Sequence, residues 1–570
     1  MKKEHQRRIA ALAGLVAGAA AGVGLAKRYN KKKLEKAQTT IAPGMKGERQ
    51  AYLIGGGLAS LSAAAYLIQD GGFAGENIHI IEGMDILGGS NDGAGNGMNG
   101  FVCRGGRMLN EETYENFWEL FSKIPSLDWP GRSVTEEILN FDHLHPTHAQ
   151  ARLVDKHGVI LDVKSMQFSN KDRMLMTKLL ATPEEKLDNV TIEEWFKEDA
   201  HFFTTNFWYM WQTTFAFQKW SSAFEFRRYM NRMMLEFSRI ETLEGVTRTP
   251  YNQYESVILP LKNYLDGFGV DFSIKAVVED IDFKEDSITA TDIHVLENGK
   301  QRVLHLDEGD LCIVTNGCMT DCATLGDLKH PAPYEPDAPM SGELWRKIAD
   351  KKPSLGNPAP FFTKPEETNW ESFTVTCKGN RLLKMIEQFS GNIPGSGALM
   401  TFKDSNWLMS IVVAAQPHFK SQDKDTTIFW GYGLYTDAVG NYIKKPMREC
   451  TGEEILVELL GHLHFEEATK DILSEIVNVI PCMMPYVDAQ FQPRAMSDRP
   501  HVVASDATNF AMISQFVEIA DDMVFTEEYS VRAARIAVYS LLGIQKKICP
   551  VTPHNKNPKV LALAAKTMFR

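Results

Sequence analysis

The segment that most constrains the fold is "AYLIGGGLASLSAAAYLIQDGGFAGENIHIIEG", residues 51–83. An apolar run ends in a glycine turn, a helix-like stretch follows from Leu58 to Asp70, and a second apolar run ends on Glu82. The turn has the spacing G-x-G-x-x-S, with its fixed positions at Gly55, Gly57 and Ser60. Such glycines let the backbone approach a pyrophosphate at the helix N-terminus, and the acid binds a ribose. The order therefore predicts a dinucleotide-binding βαβ unit with strands at 52–54 and 78–81.

A second glycine pair, Gly88–Gly89, lies six residues beyond Glu82. Many two-domain flavoproteins have such a pair just after the ribose-binding acid, whereas nicotinamide-binding domains usually lack it. The pattern favours FAD as the cofactor. A Rossmann-like fold that binds no nucleotide is the alternative.

The nucleotide-binding domain is predicted to be discontinuous. From about Gly269 the chain again reads as strands, with a tight turn at Asn298–Gly299, and "DLCIVTNG" is a buried strand that runs into a glycine turn. The intervening segment "FFTTNFWYMWQTTFAFQKW" has aromatic residues on nearly every helical face and should line a cavity or be buried. We expect an α/β fold: a Rossmann-like FAD-binding domain with an inserted helix-rich substrate domain and C-terminal helices. The FAD-binding domain is assigned to 51–150, 269–330 and 490–545, and the substrate-binding domain to 151–268 and 331–489.

Composition excludes some functions. The 570 residues are 44% hydrophobic and carry a net charge of −12, which is typical of a globular protein with a large core and argues against a nucleic-acid partner. None of the eight cysteines has metal-ligand spacing with a second pair or a histidine cluster, so we expect reduced thiols and no metal site.

The two ends of the chain suggest contact with a membrane. Residues 1–36 contain an uncharged Ala/Gly-rich run, Ile9–Ala26, with basic residues on both sides. This run could be a membrane anchor, a self-associating helix or disordered chain. If it is an anchor, its heavier basic flank predicts a cytoplasmic body at the inner face of the cell membrane. Residues 37–50 read as a linker. The amphipathic tail, 546–570, is either an ordinary terminal helix or a contact with membrane lipid.

Several stretches together closely resemble the oleate hydratases, also called myosin-cross-reactive antigens. They include "GGGLASLSAAAYLI", "RGGR", "FAFQKWSSAFEFRRYM", "VTNGCMTD", "KKPMRECTGEEIL" and "TNFAMISQFVEI". The resemblance covers about residues 50–545 and leaves out the N-terminal extension. It implies an FAD-dependent but non-redox hydro-lyase, commonly a homodimer, that adds water to a cis double bond of a long-chain unsaturated fatty acid such as oleate or linoleate.

The resemblance also assigns roles to single residues. The proton donor of the family corresponds to Tyr229 in "EFRRYM". The neighbouring Arg227 and Arg228 would make it a stronger acid than a free phenol, whereas without the resemblance Tyr229 would read as a packed helix residue. Gln253 and His418 match two ligands of the substrate carboxylate, and both can donate a hydrogen bond. Two further positions, where the family often has Thr and Asn, are Val412 and Ala414 here.

The loop Arg104–Arg107 is expected to wrap the flavin and its phosphates. In many family members a Glu follows it and positions or activates the water, whereas this chain has Met108, as in a subset with "RGGRMLNEE". Glu112, then Glu111, then Asn110 are the candidates to replace that Glu, although first-turn acids are often solvent-facing caps. Alternatively, the flavin and the backbone alone hold the water.

The complete set of candidate cofactor-binding residues is Gly55, Gly57, Leu58, Ala59, Ser60, Glu82, Gly88, Gly89, Ser90, Arg104, Gly105, Gly106, Arg107, Val278, Thr315, Asn316, Gly317, Ser505, Asn509, Ser514 and Phe516. Two other functions remain open. One is a redox flavoenzyme of amine-oxidase or desaturase type on the same fold. The other is a membrane-tethered protein that binds FAD and fatty acid with little catalysis.

Overall fold

The structure of the protein is a computed structural model that describes residues 49–91, 93–104, 108–337, 339–397 and 399–570. The predicted N-terminal helix and most of the linker lie outside these residues, as do Gly105, Gly106 and Arg107 of the arginine loop. Within the described residues, no helix is long and apolar enough to cross a bilayer.

The strands, in chain order, are β1 Ala51–Ile54, β2 Ile78–Glu82, β3 Gly93–Asn96, β4 Gly100–Cys103, β5 Leu153–Val154, β6 Asp271–Ile274, β7 Ala276–Phe283, β8 Ala290–Glu297, β9 Lys300–His305, β10 Leu311–Thr315, β11 Thr324–Leu325, β12 Trp370–Lys378, β13 Leu399–Phe402, β14 Ser410–Val412, β15 Thr426–Gly433, β16 Ile476–Met484 and β17 Phe510–Ile513.

The α-helices are α1 Leu58–Gln69, α2 Glu115–Phe121, α3 Val134–Leu144, α4 Asn170–Ala181, α5 Ile192–Phe196, α6 Asn206–Phe215, α7 Ala223–Arg232, α8 Met234–Phe237, α9 Leu259–Gly267, α10 Met340–Lys351, α11 Ala359–Phe362, α12 Pro365–Thr368, α13 Arg381–Ser390, α14 Gly452–His462, α15 Thr469–Glu475, α16 Glu527–Leu541 and α17 Pro558–Met568. A π-helical turn, Tyr254–Ile258, precedes α9.

Several helices begin at a side chain that satisfies free backbone donors. In α3, α4, α5 and α14 a Ser or Thr accepts the N–H three residues on, and an acid at that position accepts the N–H of the capping residue. Each such reciprocal pair closes two donors that a helix start leaves unbonded. The sequence therefore fixes these starts locally.

The nucleotide-binding domain is a five-stranded parallel sheet in the order β17–β10–β1–β2–β6. Ile54 pairs with Val314 on one side and with Ile81 on the other, so β1 lies at the centre. Helices α1 and α16 pack together beside this sheet. Since strands from distant parts of the chain meet here, the predicted discontinuous Rossmann-like α/β fold is confirmed. A three-stranded antiparallel sheet, β7–β8–β9, follows β6 and turns at Asn298–Gly299, where both residues have positive φ.

The segment 331–489, which was predicted to belong to a helix-rich substrate domain, is built around a seven-stranded sheet rather than helices alone. Its order is β11–β16–β12–β15–β14–β13–β5. On one face of β12, Phe373 and Val375 join a second apolar core. On the other face, the hydroxyl groups of Thr374 and Thr376 accept hydrogen bonds from the backbone of β4. This contact docks β4, which ends directly before Arg104, on the sheet.

The C-terminal helix α17 packs against α8. The guanidinium of Arg173 donates to the carbonyl of Met568 at 2.8 Å, and Arg570 pairs with Glu241 at 3.0 Å. These contacts favour the ordinary terminal helix of the two interpretations of this tail. The division of the chain into the predicted domain ranges stays a prediction.

Candidate active site

The turn between β1 and α1 and the loop around Gly88 form one cradle. Gly55 has a φ of +94°, which favours glycine. The amide of Gly88 donates to the carbonyl of Gly56 at 2.9 Å, and a Cβ on Gly89 would lie 3.3 Å from the Cα of Gly57. The second glycine pair therefore packs on the first, as a backbone surface with no side chains in the way.

The start of α1 is free to bind an anion. Gly57 caps the helix without a side-chain hydrogen bond, and the first turn has no acid. Glu82, at the end of β2, accepts the backbone N–H groups of Gly56 at 2.5 Å and Met84 at 2.7 Å. A helix N-terminus beside a fixed strand-terminal carboxylate is the arrangement that binds the pyrophosphate and ribose of a dinucleotide. These residues fit FAD.

The carboxyl ends of β10 and β17 complete this edge of the sheet. Thr315 contacts the hydroxyl group of Ser60 at 3.2 Å. Asn316 accepts the hydroxyl of Ser514 at 2.7 Å and donates to the carbonyl of Phe516 at 3.3 Å. The predicted residues of the two returning segments are thus brought together with α1.

The other candidates divide into two groups. Leu58 and Ala59 are buried at the start of α1, and Val278 is buried in β7. The hydroxyl groups of Ser90 and Thr320 are 3.4 Å apart. Gly317 follows Asn316, and Arg104 directly follows β4. The assignment of Ser505 and Asn509 to the cofactor-binding edge is corrected by the structure. Asn509 precedes β17 at its amino end, where its amide donates to the carbonyl of Ala290 at 3.0 Å, and Ser505 is exposed in the loop before it. Both therefore lie at the sheet edge opposite the glycine turns.

A cavity of about 950 Å³, partly open to solvent, begins directly after the arginine loop, at Met108. Its wall is mainly apolar and aromatic, and includes Phe215, Trp370, Trp430 and Tyr432. The aromatic insertion thus lines a cavity, as predicted.

Tyr229 lies on α7 in the wall of this cavity and is 1% exposed. Its hydroxyl donates to the carbonyl of Val524 at 2.6 Å. The rings of Phe215 and Phe217 meet the Tyr229 ring edge-on, at 5.2 and 5.0 Å between centroids. The phenol is therefore held in one orientation by a hydrogen bond and by packing.

The expectation that two arginines acidify Tyr229 is wrong. Arg228 pairs with Glu184 at 3.0 Å and Glu518 at 2.6 Å, and Arg227 pairs with Glu184 at 2.9 Å. Burial, followed by nearby acidic groups, raises the pKa of Tyr229 well above its usual value. The phenol therefore stays protonated at neutral pH.

Of the three candidates after Met108, Asn110 is the one that lines the cavity. Asn110 is 3% exposed and lines the cavity, where its amide donates to Glu236 at 2.9 Å and its carbonyl oxygen accepts Thr113 at 2.8 Å. Glu111 is exposed, and Glu112 turns away to pair with Arg239 at 3.1 Å. Spacing could not show this, because the turn before α2 sends successive side chains in different directions.

Two buried carboxyl groups that the sequence analysis did not identify line the same cavity, those of Glu236 and Glu527. Glu236 is fixed by Arg239 and Asn110, and burial raises its pKa. Glu527 opens α16 and accepts the amide of Asn91 at 2.6 Å, two residues beyond the second glycine pair. The Thr526 helix cap was a signal for the second; no local pattern marks the first.

The Glu527 carboxyl group lies near Tyr114, whose hydroxyl group contacts the backbone of Met108. Its charge contributes, after burial, to the raised pKa of Tyr114. The Tyr114 hydroxyl donates to the carbonyl of Met108 at 3.1 Å. A carboxyl group from α16 and Met108 thus line the same cavity.

Asn252, the residue directly before Gln253, binds the backbone of His418 and so brings Gln253 and His418 close together. The backbone N–H and the side-chain amide of Asn252 donate to the His418 carbonyl at 2.9 and 3.1 Å. Burial, with a smaller effect of the Arg248 charge, lowers the pKa of His418 to about 4. The imidazole is neutral at pH 7. Val412 lines the cavity, and Ala414 is buried between it and His418.

Solved structures share the fold at low identity. A cyclohexylamine oxidase from Brevibacterium oxydans IH-35A has a TM-score of 0.52 at 12% identity, over 87% of this chain and 99% of that one. A triple mutant of putrescine oxidase has a TM-score of 0.51 at 12% identity, with the same coverage of both chains. At this identity the comparison establishes the architecture only.

Two relatives are far more similar in sequence. A linoleate hydratase from Lactiplantibacillus plantarum is 42% identical over 91% of this chain and 98% of its own length. An oleate hydratase from Streptococcus pyogenes serotype M49 (strain NZ131) is 38% identical over 88% of this chain and 86% of its own. The model of the MCRA family matches residues 48–539, from the start of the nucleotide-binding domain into α16. The chain therefore belongs to the MCRA family.

Proposed function

We propose that the protein is an FAD-dependent hydratase of long-chain unsaturated fatty acids. It adds water to a cis double bond of a substrate such as oleate or linoleate and forms a hydroxy fatty acid. The observation that carries the proposal is the cavity, in which the buried phenol of Tyr229 and two carboxyl groups line a mainly apolar and aromatic space. The activities of the two similar hydratases support it.

FAD is held by the glycine cradle, by Glu82 and by the ends of β10 and β17. The reaction transfers no net electrons, and the chemistry that the bound flavin supplies is a polarised, shaped wall for the reacting atoms. The remaining steps belong to side chains of this protein. Water adds across the double bond, so one alkene carbon gains a proton and its neighbour gains a hydroxyl group.

Tyr229 is the proton donor in this proposal. An isolated alkene is a weak base, so proton transfer succeeds only as water approaches the neighbouring carbon and positive charge develops there. The aromatic rings in the wall stabilise that charge through their π faces, which attract cations. The raised pKa makes Tyr229 a weaker acid, so proton donation depends on the charge that develops with the attack of water, and it favours reprotonation of the phenolate after turnover.

The water is positioned by Asn110 and activated by Glu527. Both N–H groups of the Asn110 amide are in use, on Glu236 and the carbonyl of Gly245, and they fix its orientation. Its oxygen accepts one hydrogen bond from Thr113 and retains a lone pair for a water O–H. Glu527 accepts the proton that the water loses. The chain is in this respect a member of the subset with Met in place of Glu at position 108.

Two further features of the proposal concern assembly and location. Residues 1–36 attach the protein to membrane lipid, on the cytoplasmic face, and two copies form a homodimer. Their support is the basic-flanked apolar segment and the family resemblance. Removing residues 1–36 should release the protein from membranes without loss of specific activity. Sedimentation with vesicles measures membrane attachment, and light scattering measures whether the protein is a dimer.

The function is tested by incubating the FAD-loaded protein anaerobically with oleate or linoleate in heavy-oxygen water, with oxidised flavin in one sample and prereduced flavin in another. Mass spectrometry should find a hydroxy acid that carries one solvent oxygen. A product with an added double bond, together with flavin bleaching, would establish a redox enzyme instead. Bound fatty acid with no product in either sample would establish a binding protein.

A further inference from the structure

The carboxylate end of the proposed substrate site lacks a positive charge. The two residues assigned to it, Gln253 and His418, are both neutral at pH 7, since burial lowers the pKa of His418 to about 4. A carboxylate that leaves water for neutral donors alone loses much of its solvation free energy. The site therefore calls for a cation.

Among the described residues, Arg248 forms no salt bridge, and Asp142 is the one carboxyl group whose charge acts on it. Its Nε and Nη2 atoms are shielded from solvent, and among the residues that the structure describes neither atom has a hydrogen-bond acceptor. Burial lowers the pKa of Arg248 to about 10, and Asp142 is the carboxyl group whose charge opposes this shift. The Asp142 side chain accepts the backbone N–H of Arg248, at 3.1 Å. The guanidinium group thus remains charged, with unused donors.

Arg248 lies near one predicted ligand, His418, and both are connected by short segments to residues that line the cavity. The residues that line the cavity include Val246, two residues before Arg248, and Val412, six residues before His418. The backbone between Val246 and Arg248 is fixed by two hydrogen bonds between Thr247 and Leu109, at 2.9 and 3.1 Å. The Arg248 charge is close enough to His418 to lower its pKa. The two segments that continue from Val246 and from Val412 therefore bring Arg248 and His418 close to each other.

We propose that Arg248 is the charged ligand of the substrate carboxylate, with Gln253 and His418 as neutral hydrogen-bond donors beside it. The proposal rests on the proposed function for the identity of the substrate, and it adds the residue that selects for an anion. A guanidinium group presents two parallel N–H groups that match the two oxygens of a carboxylate. The ligand class is a long-chain monocarboxylate.

An anchored carboxylate also sets the position of the reaction. With the head group held at Arg248, the number of carbons between it and Tyr229 decides which double bond reaches the phenol. Val412 lines the cavity, and its apolar side chain offers no hydrogen bond to the substrate. Arg248 therefore governs both affinity and regiochemistry.

The test compares stearate with octadecanol, which have the same chain length and no double bond, so binding is independent of turnover. Fluorescence titration of FAD-loaded wild type should show tight binding of stearate. In Arg248→Gln the dissociation constant for stearate should rise on the order of 10- to 100-fold, the cost of losing hydrogen bonds to a charged group. The constant for octadecanol should change by less than about threefold. Arg248→Lys should fall between wild type and Arg248→Gln.

Asp142→Asn is the matched control, because it removes the nearby negative charge and leaves the guanidinium in place. Stearate binding should be unchanged or tighter in this variant. Equal weakening of stearate and octadecanol in Arg248→Gln, with FAD still bound, would mean that Arg248 only shapes the cavity. No weakening of either would overturn the proposal. If wild type binds stearate but does not hydrate oleate, the proposed function fails while the role of Arg248 stands.

Discussion

The buried arginines near Tyr229 and the buried Arg248 differ in their ion pairs. Arg228 is buried between Glu184 and Glu518, and Arg494 is buried between Glu225 and Glu518, at 3.1 and 2.8 Å. Arg248 has no such partner among the described residues. A buried charge that serves the fold is neutralised by the fold, whereas one that serves a ligand must be left for the ligand.

The paired group connects three parts of the chain. Glu184 precedes α5, Arg228 lies on α7, and Glu518 follows β17. Together they fix α7, and with it Tyr229, against the segment whose Val524 carbonyl accepts the phenol. In the proposed mechanism the pairs thus act by holding Tyr229 in position, and the acids that neutralise the arginines are the reason why the expected lowering of the pKa of Tyr229 is not found.

Tyr229→Phe should have the largest effect. Removing the phenol hydroxyl deletes the proposed acid and leaves the ring contacts, so turnover should fall about 10²- to 10⁴-fold, the usual value of a general acid. Product formation from oleate is measured by mass spectrometry, with flavin absorbance as the control for folding and FAD binding. A variant with near-normal turnover and bound FAD would remove Tyr229 from the mechanism.

Arg228→Met should destabilise the fold strongly. Glu184 and Glu518 would lose a partner inside the protein, and breaking a buried pair in this way costs about 3–5 kcal/mol. Denaturant unfolding measures the change. A loss below about 1 kcal/mol would mean that the pairs are not a structural requirement of α7.

Glu527→Gln should lower kcat by about 10²-fold and Glu236→Gln by less, because a general base contributes about 10²- to 10⁴-fold and only Glu527 is assigned that role. Glu236 is bound to Arg239 and Asn110, so its substitution should act mainly through stability and water placement. Steady-state kinetics with oleate compares the two. A larger loss in Glu236→Gln would transfer the role of base to that residue.

Arg248→Met should have the smallest effect on stability. No acceptor in the described part of the chain loses a hydrogen bond to the guanidinium, and an apolar side chain suits a buried site, so the free energy of unfolding should change by less than about 1 kcal/mol or increase. The same denaturant experiment compares it with Arg228→Met. Destabilisation as large as that of Arg228→Met would show that Arg248 belongs to the fold and not to a ligand.

The sequence was sufficient for the cofactor edge because its signals are local. The glycine turn, the helix after it and Glu82 lie within about thirty residues, as in any βαβ unit of this kind, and the structure has each element where it was predicted. The hairpin at Asn298–Gly299 and the returning strand β10 were found for the same reason.

The cavity was harder to predict because its polar groups come from separate segments. Glu236 and Glu527 have no shared motif, and only the fold shows that both reach the same space. The order of Asn110, Glu111 and Glu112 depends on a turn whose direction spacing does not encode. Asn509 was assigned to the cofactor edge because it is close in sequence to Ser514, but β17 lies between them and places them at opposite edges.

The position of β17 at the edge of the central sheet has a consequence for how the protein is made. The ribosome delivers β1 early, but β17 pairs with β10 only after residue 513 has left the exit tunnel. At 5–20 residues per second, that interval is roughly half a minute or longer. During translation the aromatic insertion must therefore wait, exposed, for the last strand, and chaperone binding to the nascent chain would be most useful in that interval.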